Sequence, residues 1–204
     1  NLKVDGIEID VFKSKSGELI VYHDPSLGRL SNSTAFIEQI SLDSIKKVEL
    51  IGGLSIPTLN EVIDIIPEKI FLNIELKGEN TAYETNKIII KYLSESNLSP
   101  SKFIISSFRW DELKKFRNVN KDVPIAILVD SLYKIDKAIK LAKEINALSL
   151  NPNNEFITNQ IVKKIQSNNI RVYPYTINTP DNINRMKSMG VDAIITDFPE
   201  RINK

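Results

Sequence analysis

Beyond residue 68 the sequence alternates short apolar runs with longer amphipathic ones, and this alternation constrains the fold more than any other feature. The apolar runs lie at residues 69–76, 102–107, 124–129, 147–150, 170–175 and 191–196. Helices are predicted between them, at residues 81–94, 110–116, 135–145, 159–168 and 181–189. Strands that alternate with helices at this spacing are typical of a parallel sheet joined by crossover helices.

A strand at residues 5–11 precedes this series, and a turn rich in Ser, Lys and Gly joins it to a strand at residues 18–24, which predicts a hairpin. The parallel series then has seven strands, whereas a barrel of this type needs eight. We therefore expect an α/β fold, a TIM-type (β/α)8 barrel whose first strand and helix are missing, as one N-terminally incomplete domain over residues 1–204. The alternative is an open doubly wound sheet, but the glycine-rich phosphate turn of its nucleotide-binding versions does not occur here.

The charge and cysteine content argues against several classes of partner and site. With 27 basic and 26 acidic residues the net charge is +1, so no basic field favours nucleic acid or an anionic membrane. No apolar run approaches the roughly 18 residues that span a bilayer, and we expect no stable membrane insertion. The absence of cysteine excludes disulfides, thiolate metal sites and a cysteine nucleophile, and it fits the cytoplasmic location that we expect.

The strand at residues 5–11 carries two carboxylates on one face. Side chains alternate between the faces of a strand, so Glu8 and Asp10 project from one side and the apolar residues from the other. Two like charges this close repel each other, and burying either without a partner is costly. A divalent cation would resolve both problems, because hard cations prefer carboxylate oxygens. Taken alone, the same pattern also fits a strand whose acidic face points to water.

Polar residues end the later strands repeatedly, and the carboxyl ends of its strands are where a barrel collects its function. Asn73, Glu75 and Lys77 share one strand face. Glu75 adds a third carboxylate, and Lys77 adds a cation that can hold a substrate oxyanion. A surface pairing of Glu75 with Lys77 is the alternative. Because both strands end in acidic residues, we predict a metal site made of Glu8, Asp10 and Glu75.

Further candidate residues are His23, Arg29 and Tyr175. His23 is the only histidine and ends the strand that follows the carboxylates, which suggests a general acid or base, although a lone histidine is more often a surface or core residue. Arg29, in the next loop, either reaches a phosphate or a carboxylate, or is simply solvated. Tyr175 ends a later strand and either lines a pocket or packs in the core.

Several short motifs follow one another along the chain. They are Gly6-Ile7-Glu8-Ile9-Asp10-Val11, Val21-Tyr22-His23-Asp24-Pro25, Ile56-Pro57-Thr58-Leu59, Asn73-Ile74-Glu75-Leu76-Lys77 and Gly190-Val191-Asp192-Ala193-Ile194-Ile195-Thr196-Asp197. In this order and spacing they resemble the glycerophosphodiester phosphodiesterase family. Each motif alone is weak, but the set covers nearly the whole chain and is specific.

The resemblance implies a TIM-type barrel that hydrolyses a glycerophosphodiester, a small-molecule substrate, to glycerol 3-phosphate and an alcohol. It also implies a Mg²⁺ or Ca²⁺ ion on the predicted acidic cluster, a phosphate contact from Lys77, and His23 as one of two catalytic histidines. The nucleophile that it suggests is the glycerol 2-hydroxyl, which gives a cyclic intermediate. We place Arg29 and Tyr175 beside Lys77 among the substrate-binding residues.

The chain departs from the family pattern at its start. Family members open with His-Arg-Gly and then Pro-Glu-Asn-Thr before the carboxylate strand, and neither motif occurs here. We attribute the difference to a missing N-terminal strand and helix, with loss in a natural variant as the alternative. Tyr175 stands where the family has Trp before Thr-Val-Asn, which preserves an aromatic wall.

The sequence therefore predicts a metal-dependent phosphodiesterase, with little activity in this chain alone because the second histidine is absent. Two alternatives stay open. One is a phosphodiester-binding module without turnover, and the other is a related barrel phospholipase or lysophospholipid phosphodiesterase. The latter would use exposed apolar loop tips, for which the loop at Gly52, Gly53 and Leu54 is the candidate. The motifs leave open the alcohol head group, the ion and the oligomeric state.

Overall fold

The computed structural model describes residues 3–96 and 98–202, and the chain divides into two compact units. One unit is Gly6–Val123, and the other joins Pro124–Lys204 to Asn1–Asp5. Each unit has parallel strands with helices in the connections. The single domain expected over residues 1–204 stays a prediction.

The first unit contains a hairpin and then strands that alternate with helices. Its elements are β1 (Gly6–Lys13), β2 (Leu19–Val21), α1 (Leu42–Ile45), β3 (Glu49–Leu50), β4 (Leu54–Ser55), α2 (Leu59–Ile65), β5 (Phe71–Leu76), α3 (Thr81–Ser96), β6 (Phe103–Ser107) and α4 (Trp110–Val119). β2 runs antiparallel to β1, so the predicted hairpin is confirmed. β1 pairs parallel with β5, and β5 pairs parallel with β6.

The second unit continues the alternation. Its elements are β7 (Ile125–Val129), α5 (Ile135–Glu144), β8 (Ser149–Pro152), α6 (Asn159–Gln166), β9 (Arg171–Val172) and α7 (Pro180–Met189). β8 pairs parallel with β7 and with β9. α7 begins after the capping side chain of Thr179 and ends at Gly190, whose φ of 70° favours glycine. Among the described residues, no helix is long and apolar enough to cross a bilayer.

The prediction of a strand at residues 191–196 is wrong, because the structure has no strand there. The described chain therefore has six strands in the parallel series, and not seven. Backbone hydrogen bonds to this segment are irregular: Ile195 N–H donates to Pro174 O, and the N–H of Val172 donates to the carboxylate of Asp192 instead of to a carbonyl. Pro174 has no N–H to donate. A regular ladder of backbone hydrogen bonds therefore cannot form between β9 and residues 191–196. β9 is also shorter than predicted.

The segment between β2 and α2 packs around a hydrophobic cluster of its own. The cluster consists of Phe12, Ile20, Tyr22, Leu27, Ile37, Ile45 and Ile56, all buried. Burying a large aliphatic or aromatic side chain stabilises a fold by about 1.5–3 kcal/mol. The loop that carries His23 and Arg29 is therefore anchored by a packed hydrophobic cluster. The capping box of Thr58 and Glu61 starts α2.

Glu112, on α4, is fully buried and holds the amino end of α3. Its Oε1 accepts from the N–H of Asn80 at 3.2 Å, and its Oε2 accepts from the N–H of Ala82 at 2.9 Å. Lys115 Nζ lies 2.7 Å from Oε1 and balances the charge. The first N–H groups of a helix lack hydrogen-bond acceptors within the helix. The carboxylate of Glu112 supplies those acceptors here.

A second carboxylate holds the same connection from the other side. Glu38 Oε1 accepts from the N–H of Glu79 at 2.9 Å. Gly78 leaves room for this contact, because a Cβ there would lie 2.8 Å from Glu38 Oε1 and 3.1 Å from Phe12 Cα. The connection after β5, which begins with Lys77, is thus attached to two other parts of the unit.

We expect Glu112→Ala to lower the free energy of unfolding by about 3 kcal/mol, because the N–H groups of Asn80 and Ala82 lose a charged acceptor. Urea denaturation measures this loss. Asp111→Ala is the matched control, since Asp111 is the exposed neighbour that also pairs with Lys115. Surface pairs are worth about 0–1 kcal/mol, so equal losses in the two variants would contradict the role of Glu112.

Candidate active site

Three carboxylates from two neighbouring strands converge in the first unit. In the pairing of β1 with β5, Glu8 lies beside Asn73 and Asp10 lies beside Glu75. Residues paired in this way project their side chains to the same face of the sheet. Carboxylate oxygens of Glu8, Asp10 and Glu75 lie within 4.8 Å of one another. The predicted acidic cluster is therefore present as a possible metal-binding triad.

Burial increases across this triad, from the exposed Glu8 through the half-buried Asp10 to Glu75, which is 8% exposed. Burial, and next the charge of Asp10, raise the pKa of Glu75 to about 8, although the charge of Lys77 acts in the opposite direction. A carboxyl group with this pKa is mostly protonated at neutral pH. Carboxylates bind metal ions in the ionised form, so a bound cation would displace that proton.

This raised pKa predicts an unusual dependence of stability on pH. Between about pH 4.5 and 8 the folded chain holds more protons on Glu75 than the unfolded chain does, so the free energy of unfolding falls as the pH rises. We expect urea denaturation in EDTA to show a larger loss of stability from about pH 5 to pH 8 in the parent than in Glu75→Gln. Parallel pH profiles would contradict this assignment.

Lys77 lies between the triad and the segment that carries His23. Its Nζ is 3.1 Å from Asp10 Oδ1 and donates to the carbonyl oxygen of His23 at 3.0 Å. The side chain is 20% exposed, so the ammonium group has a side open to solvent. The structure thus brings Lys77 and the backbone of His23 together with the triad.

His23 is held by a carboxylate to which the sequence analysis assigned no role. Its Nδ1 lies 2.6 Å from Asp24 Oδ1, and its side chain is 64% exposed. Asp24 also accepts from Arg29 Nε. The hydrogen bonds from Arg29 and then from His23 hold the pKa of Asp24 below its usual value. Because an ionised carboxylate only accepts hydrogen bonds, Nδ1 of His23 carries the proton and Nε2 is the nitrogen that can exchange one with a substrate.

Arg29 therefore pairs with a carboxylate, which is one of the alternatives that the sequence leaves open. Its side chain is 55% exposed. A phosphate contact from Arg29 stays a prediction. Asp24 directly follows His23 in the sequence, and this adjacency was the available signal for its orienting role.

Two buried polar atoms beside the triad lack a protein partner among the described residues: Asn73 Oδ1 and Ser106 Oγ. Asn73 is 6% exposed and Ser106 is fully buried. In the pairing of β5 with β6, Ser106 lies directly beside Glu75. A site that holds a hydrated cation needs additional polar groups of this kind, so the residues present fit such a cation.

Tyr175 lies in the second unit and is half-buried. Its hydroxyl group donates to the carbonyl oxygen of Val129 at 3.2 Å, at the carboxyl end of β7. Its backbone N–H donates to Pro152 O at the end of β8. The ring is therefore fixed at the carboxyl ends of two strands, and its predicted contact with substrate stays a prediction.

Comparison with known proteins places this geometry in a family. The model of the glycerophosphoryl diester phosphodiesterase family matches residues 1–201. The chain belongs to the glycerophosphoryl diester phosphodiesterase family. A glycerophosphodiester phosphodiesterase of Caldanaerobacter subterraneus subsp. tengcongensis is 33% identical over 98% of this chain and 85% of its own length. The predicted enzyme class, a phosphodiesterase, is confirmed.

Solved structures of family members share the fold. A phosphodiesterase of Oleispira antarctica, in complex with the product sn-glycerol-3-phosphate, is similar with a TM-score of 0.85 at 24% identity, over 98% of this chain and 84% of that one. A glycerophosphodiester phosphodiesterase of Thermotoga maritima gives a TM-score of 0.79 at 23% identity, over 98% of this chain and 84% of that one. The predicted fold class, an α/β fold of the TIM-barrel type, is confirmed.

Proposed function

We propose that this site hydrolyses glycerophosphodiesters to glycerol 3-phosphate and an alcohol, with a divalent cation, Mg²⁺ or Ca²⁺, held by Glu8, Asp10 and Glu75. The observation that carries the proposal is the convergence of these carboxylate oxygens within 4.8 Å, beside an ammonium group. The Oleispira antarctica relative, whose structure contains sn-glycerol-3-phosphate, supports the identity of the product.

The cation, when bound, would neutralise a phosphodiester oxygen and draw negative charge away from phosphorus. The triad suits this task, because Glu75 lies at its buried end and Glu8 at its exposed end, which leaves one side open to substrate. Carboxylate oxygens are the ligands that both Mg²⁺ and Ca²⁺ prefer.

Lys77 and His23 act on the substrate from the same edge of the unit. Lys77 stabilises the phosphate oxygens as negative charge builds on them, since its ammonium group is fixed by Asp10 and by the backbone of His23. His23 gives a proton to the leaving alkoxide, or takes one from the nucleophile, through Nε2. Asp24 keeps the ring in the required tautomer.

General acid and base catalysis needs two groups when one proton is taken and another is given. His23 is the only histidine of the sequence, so a histidine of this chain does not fill the second role. Each such group contributes typically 10²–10⁴-fold to a rate. We therefore expect the chain alone to bind substrate and cation but to turn over slowly.

Release of sn-glycerol 3-phosphate from glycerophosphocholine tests the proposal. We would assay this chain beside the full-length product of its gene, with Mg²⁺, with Ca²⁺ and with EDTA. We expect little turnover by this chain, and cation-dependent turnover only where the gene product supplies the second acid–base group. Silence from both, with the cation still bound, would favour a phosphodiester-binding module. Turnover in EDTA would overturn the metal-dependent mechanism.

One observation favours a second candidate function, the hydrolysis of lysophospholipids. The hairpin of β3 and β4 presents apolar side chains to solvent at its tip, with Ile51 73% and Leu54 64% exposed. A site that takes a substrate with an acyl chain needs such an apolar surface nearby. The hairpin belongs to the same unit as the triad.

The two substrates are separated by a double variant, Ile51→Ser with Leu54→Ser. If lysophospholipid is the substrate, this variant should lose activity on lysophosphatidylcholine and keep activity on glycerophosphocholine. Phe36→Ser is a matched control, because Phe36 is also exposed, at 49%, but lies outside the hairpin. Preference of the parent for glycerophosphocholine, with no effect of the double variant, would rule out the second candidate.

A further inference from the structure

Two buried polar atoms near the triad have no role in the proposed chemistry. Asn73 Oδ1 and Ser106 Oγ are buried and have no hydrogen-bond partner among the described residues. A buried polar group without a partner costs about 1–3 kcal/mol, so such groups are rare unless a bound species satisfies them. Both residues are neighbours of Glu75, one on its own strand and one on the next.

The sheet register directs these atoms toward the triad. Asn73 precedes Glu75 by two positions on β5, so both side chains project from the same face. Ser106 is paired with Glu75 in the parallel ladder, where neighbouring strands lie about 4.8 Å apart. Two polar side chains that are nine-tenths buried thus share the face of the sheet that carries the acidic cluster.

Neither side chain suits direct contact with a cation that also touches the triad. Asn73 lies two residues below Glu75, a rise of roughly 6.6 Å along the strand, and its side chain is one methylene shorter than that of Glu8 at the same level. Ser106 has a short side chain on the strand beyond Glu75. In the proposed site, a water molecule bound to the cation would span this separation by donating to Asn73 Oδ1 and pairing with Ser106 Oγ.

We propose that Asn73 and Ser106 hold water molecules of a hydrated cation bound by Glu8, Asp10 and Glu75, which makes them positioning residues for a Mg²⁺ ion. This inference rests on the proposed function. Mg²⁺ loses its water reluctantly and usually keeps several water molecules in proteins, whereas Ca²⁺ takes more ligands directly. The site therefore favours Mg²⁺ over Ca²⁺, because part of its polar lining faces water instead of the ion.

Calorimetric titration of the chain with MgCl₂ and CaCl₂ tests this role. Groups that support metal ligands typically change metal affinity 10–100-fold when they are removed, so we expect Ser106→Ala to weaken Mg²⁺ binding about 10-fold. Asn73→Leu should do the same. Both variants should weaken Ca²⁺ less than Mg²⁺. Ser106→Cys replaces the hydroxyl group with a somewhat larger thiol group that hydrogen-bonds weakly, and it carries the test if the alanine variant does not fold.

Thermal unfolding without metal separates this role from a structural one. Removing an unpaired buried hydroxyl group should leave the melting temperature of the metal-free chain unchanged or higher, while the affinity for Mg²⁺ falls. Thr85→Ala is the matched control, because Thr85 Oγ1 is also buried and without a partner among the described residues, but it lies on α3. This variant should bind Mg²⁺ as the parent does.

The outcomes distinguish a failure of the hydration role from a failure of the proposed metal site. If the parent binds Mg²⁺, Glu75→Gln does not, and Ser106→Ala binds like the parent, the hydration role is wrong and the triad stands. If Thr85→Ala weakens Mg²⁺ as much as Ser106→Ala does, the effect is structural and the inference fails. If the parent itself binds neither ion, the triad is not a metal site, and both proposals are overturned.

Discussion

Glu75→Gln is expected to weaken Mg²⁺ binding by at least about 100-fold and to lower hydrolysis by the full-length gene product by roughly 10³-fold. Glu75 is the buried member of the triad, and its oxygen lies within 4.8 Å of those of both partners. The amide keeps the shape of the side chain but removes the charge on which a hard cation depends. Calorimetric titration and the release of sn-glycerol 3-phosphate measure the two effects.

Glu79→Gln is the control for this variant. Glu79 is also a carboxylate of the connection after β5, but it is 70% exposed, pairs with Arg109 and lies outside the triad. Its charge is therefore expected to matter little for either measurement. A Glu75→Gln variant that keeps its activity, or a control that loses as much, would remove the metal from the mechanism.

His23→Gln should lower hydrolysis by the full-length gene product about 10²–10⁴-fold while leaving Mg²⁺ affinity unchanged. The ring of His23 touches Asp24, whereas Lys77 contacts only its backbone carbonyl group, so the triad keeps its surroundings. The comparison of turnover with metal affinity thus separates acid–base work from metal binding.

Asp24→Asn refines this test, because it keeps the hydrogen-bonding reach of the side chain but removes the charge that Arg29 and His23 share. We expect a smaller loss of turnover than in His23→Gln, together with a shifted pH–rate profile, since the tautomer of His23 is no longer fixed by a carboxylate. An unchanged profile would mean that Asp24 serves only to hold the loop.

The sequence predicted the parallel strands of the site well, because each is a short apolar run with clear ends. The convergence of Glu8, Asp10 and Glu75 followed from two simple rules, the alternation of side chains on a strand and the alignment of parallel strands. The position of the acidic cluster could therefore be predicted from the sequence alone.

Tertiary hydrogen bonds account for what the sequence did not predict. Residues 191–196 have the composition of a strand, but the N–H of Val172 is taken by Asp192 and Pro174 offers none, so no regular ladder forms. The pairing of Asp24 with Arg29 depends on how the loop folds over its hydrophobic cluster. Spacing along the chain carries no information about such contacts.

The two carboxylates that hold the connection after β5 have a consequence for its motion. The amide protons of Glu79, Asn80 and Ala82 are hydrogen-bonded to the side chains of Glu38 and Glu112, and not to the backbone of a strand or helix. Their exchange with deuterium should be slow, as in regular secondary structure, and not fast as in an ordinary surface loop. If Lys77 binds the phosphate as we propose, it does so from a fixed position, and little conformational entropy is lost on binding.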